Sequence, residues 1–267
     1  MVPVLFHLGG RAIGTHDFFV GLGVLAGAVL VVVEARSRGQ VRLETLVVVA
    51  GALVGGAIGM RLSGWARHLD LAANPTLVEA WQYGAKSILG GLTGAYLGVL
   101  LAKKAIGYRV RTGDLFAPGV ALGMAIGRVG CLLTEPPGRP TGLPWGVHAP
   151  ATLPHCPGCA AGLAMHPSFA YEIVFQLAAF GALLWLRPRI TRPGELFVMY
   201  VAAYAVVRVL VEFTRANETV WLGLTRPQWF LIPGLALLAW RVPRHYREGA
   251  YDPLLRRRHR TRTAPQT

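Results

Sequence analysis

Apolar residues do not alternate along this chain; they run in blocks. Seven blocks lie at about residues 18–33, 46–62, 83–102, 116–133, 168–186, 196–213 and 227–240. Most come near the roughly 20 residues that an α-helix needs to cross the hydrocarbon core of a bilayer. The pattern therefore predicts an all-α polytopic membrane protein with seven transmembrane helices. The third and sixth blocks are interrupted by polar residues. Two segments between blocks are long, residues 63–82 and 134–167. The second reads TEPPGRPTGLPWGVHAPATLPHCPGCAAGLAMHP. Its prolines, glycines and tryptophan predict an ordered loop in the interface or over the bundle, because unpaired backbone cannot sit in lipid.

Charge adds an orientation. The chain of 267 residues is 53% hydrophobic and 15% charged, against roughly 25% charged in soluble domains. Its mean hydropathy is +0.44. Two soluble domains are thereby excluded. The segment joining blocks one and two holds Arg36, Arg38 and Arg42. Lys103, Lys104, Arg109 and Arg111 join three and four, and Arg187, Arg189 and Arg192 join five and six. Eight arginines follow the last block. The alternate segments are poorer, with Arg11, Arg67, Arg139, Arg215 and Arg226. Basic loops stay in the cytoplasm, so the N-terminus is expected outside and the C-terminus inside. Residues 1–242 then form one membrane domain, with 134–167 as its outer loop, and 243–267 a basic cytoplasmic tail. The net charge of +14 calls for no nucleic acid. Juxtamembrane arginines gain about 1 kcal/mol each on anionic membrane lipid. No cleavable signal peptide is expected, since the first 16 residues lack a basic region followed by an apolar one.

Within the blocks, apart from Arg61 at the edge of the second, few charges remain: Lys86, Arg128, Glu172, Arg208 and Glu212. Ionisable residues at membrane depth mark functional sites by default. Arg208 and Glu212 are i, i+4 on one helix face and can pair. Three cations still outnumber two carboxylates, so one wants an anion. A lipid phosphate is the nearest, and a guanidinium fork suits it. Glycines four apart in GALVGGAIG and GGLTGAYLG predict close helix packing, or room for lipid between helices. Cys131 is expected as a buried free thiol. Cys156 and Cys159 form C-x-x-C beside His148, His155 and His166; a disulfide, a metal site using Cys156 and Cys159, and unlinked thiols all fit.

Three segments together resemble one family. GRVGCLLTEPPGRPTGLPWGV is similar to the signature of prolipoprotein diacylglyceryl transferases, bacterial inner-membrane enzymes. HPSFAYE resembles their His-Pro-x-x-x-Tyr-Glu element, and the stretch from Tyr204 to Arg215 their Tyr-x-x-x-Arg-x-x-x-Glu-x-x-Arg element. The resemblance implies transfer of the diacylglyceryl group of phosphatidylglycerol to the cysteine thiol of a preprolipoprotein lipobox segment, with no cofactor. It makes Arg128 the clamp on the lipid phosphate and Arg208 a second cation. Glu212 and Glu135 would orient the arginines or accept a proton. Gly138 would let the chain approach substrate, and Tyr204, His166, Tyr171 and Glu172 would support the site. The chain departs from the pattern at Cys131, where the family has Asn, and at Leu89, where it has His. Phe18 or Phe19 stands for an expected Tyr. Lys86, three residues before Leu89, is the expected substitute base. A relative with another acceptor, and a lipid or anion transporter, are the competing readings.

Overall fold

The computed structural model describes residues 2–65, 76–79, 87–148, 162–190 and 192–251. Lys86, Cys156, Cys159 and residues 252–267 of the basic tail lie outside the described residues. Among those described, seven long helices stand where the apolar blocks predict them: α1 (Thr15–Ser37), α2 (Leu43–Trp65), α3 (Ile88–Ala105), α4 (Gly113–Thr134), α5 (Ser168–Leu186), α6 (Glu195–Glu212) and α7 (Arg226–Arg247). The first five are long and apolar enough to cross a membrane. The last two are not counted with them. Glu195, Arg208 and Glu212 interrupt α6, and α7 ends in Arg241, Arg244, His245 and Arg247. Three antiparallel two-stranded ladders, which the block pattern does not predict, precede or join the helices: β1 (Val4–Leu8) with β2 (Arg11–Gly14) before α1, β3 (Val147–His148) with β4 (Ala164–Met165) between α4 and α5, and β5 (Thr219–Trp221) with β6 (Leu224–Thr225) between α6 and α7.

The chain divides into two compact units, residues 32–110 and residues 1–31 with 111–267. In the smaller one, α2 and α3 pack antiparallel along their glycines. A Cβ on Gly55 would strike the carbonyl oxygen of Gly94, and one on Gly51 would lie 2.8 Å from that of Gly98. Of the two readings of these glycines, close packing holds: backbone fills the space at each of these positions.

The larger unit holds α4 to α7 and the start of α1. Its charges lie inside, among apolar side chains such as Leu115, Met165 and Leu196, and much of its outer face is apolar. Arg128, Glu172, Gln176, Arg208 and Glu212 are buried, while Val174, Leu177, Leu210 and Trp240 are exposed. That inversion suits a lipid environment, where charges must turn inward. One end of the unit is tied by two carboxylates. Asp114 of α4 caps α6 from outside, accepting from the backbone N–H of Gly194 (2.6 Å) and Phe197 (3.1 Å). Such groups otherwise go unpaired at a helix start. Glu195, fully buried, accepts from Tyr251 (3.0 Å) and Arg241 (3.4 Å) and meets His245 Nδ1 at 2.7 Å.

At the other end, the Pro/Gly-rich loop is ordered where it is described. The N–H groups of Gly138 and Arg139 donate to the carbonyls of His166 (2.8 Å) and Thr214 (2.7 Å). The N–H of His166 returns to Arg139 (2.8 Å). The loop therefore closes over the ends of α5 and α6 and satisfies its own backbone there.

Candidate active site

The end of α4, the start of α5, the end of α6 and the start of α7 come together at that loop. Each brings charge or a polar group. Arg128 lies in the last two turns of α4, Glu172 in the second turn of α5, Arg208 and Glu212 at the end of α6, and Arg215 just beyond. Arg128 and Arg208 are 5% exposed, and Glu172 and Glu212 are 1% exposed.

Glu172 is the hub. Its Oε2 stands 2.5 Å from Arg128 Nη2, and its Oε1 is 4.0 Å from Arg208 Nε and 3.8 Å from Arg215 Nη1. Glu212 pairs with Arg208 within one helix turn, as the i, i+4 spacing predicts. Its other oxygen accepts from Asn217 (2.7 Å) and Thr225 (2.8 Å). Thr225 also starts α7, where Gln228 accepts from its backbone N–H (2.9 Å). The helix cap and the site thus share a residue. Arg215 Nε is 3.8 Å from Glu212, and its Nη2 is 3.6 Å from Glu135. The Phe169 ring underlies Arg215 at 4.3 Å and Arg128 at 5.8 Å, a cation–π floor that excludes water.

The arrangement adds two contacts to the sequence reading. Arg128 is not an isolated cation, because Glu172 pairs with it; α4 and α5 must pack before that contact exists. Glu172, expected in a supporting role, touches all three guanidiniums. Charge still leaves a surplus. Three buried or nearly buried guanidiniums face two fully buried carboxylates, a balance of +1, and the third carboxylate, Glu135, is part-exposed. Burial first, then the nearby Arg208 and Arg128, hold the Arg215 pKa below the ordinary guanidinium range. The group stays charged, at an energetic cost that an anion would relieve. Arg128 Nε, Arg215 Nε and Arg215 Nη1 are buried and make no hydrogen bond among the described residues.

Tyr204 is buried beside this cluster, stacked between Phe175 and Tyr200. His166 and Tyr171 form a neighbouring chain: Trp145 Nε1 donates to the Tyr171 hydroxyl (3.0 Å), which meets His166 Nδ1 at 3.1 Å. Gly138 has a structural reason of its own. A Cβ there would clash with the Thr214 carbonyl and the Ser168 hydroxyl. Sequence reasoning missed Arg215, Phe169, Asn217 and Thr225. Arg215 was findable, as the closing arginine of the Tyr204–Arg208–Glu212 spacing. The others carry no local signal.

A family model described as prolipoprotein diacylglyceryl transferase matches residues 3–242. The chain belongs to this family. It is similar to proteins named phosphatidylglycerol–prolipoprotein diacylglyceryl transferase from several bacteria. The relative from Gloeobacter violaceus is 34% identical over 247 residues, covering 88% of this chain and 89% of the relative. That of Bordetella bronchiseptica is 33% identical over 266 residues, 90% and 96% of the two chains. That of Dehalococcoides mccartyi is 30% identical over 251 residues, 90% and 91%. All the site residues described above fall inside the matched segment.

Proposed function

We propose that the chain is a phosphatidylglycerol:prolipoprotein diacylglyceryl transferase of the bacterial inner membrane. It crosses the membrane seven times, with residues 1–242 as one membrane domain, its N-terminus outside and its basic tail on anionic lipid inside. The observation that carries the reading is the guanidinium cluster: Arg128, Arg208 and Arg215 around the buried Glu172 and Glu212, with Glu135 part-exposed at its edge and buried N–H groups unspent.

The reaction needs such a site. The acceptor thiolate attacks the glycerol carbon that bears the phosphate. A carbon–sulfur bond forms, the carbon–oxygen bond breaks, and glycerol phosphate leaves with the electron pair. Negative charge grows on the departing phosphate. Fixed cations in a water-poor pocket stabilise that charge more than they stabilise the ground state. Arg128 and Arg215 clamp the phosphate, and Arg208 holds the local potential. Glu172 and Glu212 fix the three forks in place, with Tyr204 packed against them. His166, Tyr171 and Gly138 shape the outer loop through which the acceptor arrives. Glu135 orients Arg215, and Lys86 stands as proton acceptor.

The test is direct. Purified protein is mixed with phosphatidylglycerol and a lipobox peptide, beside an Arg128→Ala control. A mass gain of one diacylglyceryl group on the peptide thiol, lost in the control, is the expected result. No gain with the unaltered protein overturns the proposal.

A further inference from the structure

Beside the guanidinium cluster lies a second constellation that the reaction above does not use as such. His16, Cys131 and Glu135 place one ligand atom each within 4.8 Å of one another. His16 Nε2 is 3.9 Å from Glu135 Oε1. Cys131 is a buried free thiol. Imidazole, thiol and carboxylate are the donors that zinc-class ions take. With bonds of about 2.0–2.3 Å, two ligands on one tetrahedral ion stand roughly 3.3–3.8 Å apart. Small side-chain rotations would bring these three to that spacing.

The backbone holds them there. The N–H of Thr15 donates to the Pro3 carbonyl (3.0 Å) and that of Val2 to the Leu133 carbonyl (2.9 Å), pinning the start of α1 to the end of α4. At the crossing, a Cβ on Gly130 would press to 3.1 Å on His16 Cα and the Phe19 Cβ. The other ring nitrogen, His16 Nδ1, faces Asp17 Oδ1 at 3.5 Å. A carboxylate behind a histidine fixes its tautomer and leaves Nε2 for a metal.

We propose that His16, Cys131 and Glu135 bind a zinc-class ion, and that its fourth position takes the acceptor thiol. The second half rests on the transferase reading. Three protein ligands leave one position for an incoming donor. A thiol that binds a metal does so as thiolate, its proton leaving to water. A divalent ion with the Cys131 thiolate and the Glu135 carboxylate is neutral, and the bound acceptor thiolate adds one negative charge. Arg128 Nη1 lies 4.0 Å from Cys131 Sγ and Arg215 Nη2 lies 3.6 Å from Glu135, so that charge sits beside the phosphate clamp. The arrangement supplies a thiolate without the histidine that Leu89 replaces.

Cobalt reads the site by colour. Full-length protein, reduced and stripped with a chelator, is titrated with Co2+ as such and as the C131S, H16Q and C156S/C159S variants. The expected result is one equivalent of Co2+ with thiolate-to-cobalt charge-transfer absorption, kept in C156S/C159S and lost in C131S. H16Q should keep the band but weaken affinity by more than the roughly 10–100-fold that loss of a supporting partner costs. Adding lipobox peptide should shift the cobalt spectrum, and adding its Cys→Ser version should not. Melting curves of each variant separate loss of the site from loss of the fold. No uptake, or a band lost in C156S/C159S and kept in C131S, overturns the proposal. Transfer measured on the same preparations keeps the two readings apart. Full transfer by stripped protein sinks the metal's hold on the acceptor thiol and leaves the transferase. Cobalt bound through Cys131 without any transfer sinks the transferase and leaves the metal.

Discussion

Three guanidiniums share Glu172 and Glu212, so removing any one changes the field at the other two. Arg215 has the most to reveal. It lies past the end of α6, buried on Phe169, with two of its nitrogens making no hydrogen bond among the described residues. If it clamps the departing phosphate, Arg215→Ala should lower kcat by about 10²–10³-fold, the usual cost of removing one donor aimed at developing charge. Arg215→Lys should recover part of that, since an ammonium keeps the charge but loses the fork. The split between kcat and KM, measured with phosphatidylglycerol and a lipobox peptide, checks the role. An alanine variant with unchanged kcat would remove Arg215 from the reaction.

Helix ends, more than helix bodies, carry the specific chemistry of this fold. Where four ends form the site, the opposite ends of α4, α6 and α7 are held by Asp114 and Glu195. Glu195→Ala leaves part-exposed Arg241 and His245, and buried Tyr251, without their acceptor, and losing such hydrogen bonds to a charged group costs about 1.5–3 kcal/mol. A lower Tm with unchanged transfer per folded molecule is the expected outcome, read by thermal melting beside the assay. Tyr251 belongs to the same latch. Burial, and the bond it donates to Glu195, push its phenol up to about 12. Its neutral form is the bonded one, so its contribution is whole at neutral pH and is lost only as pH climbs from about 10 toward 12. This division also explains what the sequence could disclose. Helix positions follow from long apolar blocks, and the Arg208–Glu212 pair from a spacing within one helix. The Arg128–Glu172 contact joins residues on different helices, and no local pattern encodes it. The ladders escaped for a similar reason: β3 to β6 have only two or three residues each, and the longer β1, VLFHL, does not alternate. The site's residues were mostly legible through their motifs, whereas Glu172's central place needed α4, α5 and α6 assembled.

On the scale of the whole molecule, direction decides whether the site can meet its substrates. α4 and α6 end at the cluster while α5 and α7 begin there, as successive crossings require. The proposed topology turns the cluster's end outward and the tied end, near the basic tail, toward the cytoplasm. An acceptor cysteine delivered across the membrane would then reach Arg128 without crossing back. Single cysteines test this. In a C156S/C159S background, Cys131 is buried and shielded from reagent. Gly142→Cys marks the outer loop and Glu248→Cys the turn after α7; neither position belongs to the cluster. A membrane-impermeant maleimide should label G142C in intact spheroplasts, and E248C only after permeabilisation. The reverse pattern would put the guanidinium cluster on the cytoplasmic side and leave the acceptor with no route to it. Labelling of both in intact spheroplasts would mean an even number of crossings between them, against the three that the proposed topology gives α5, α6 and α7.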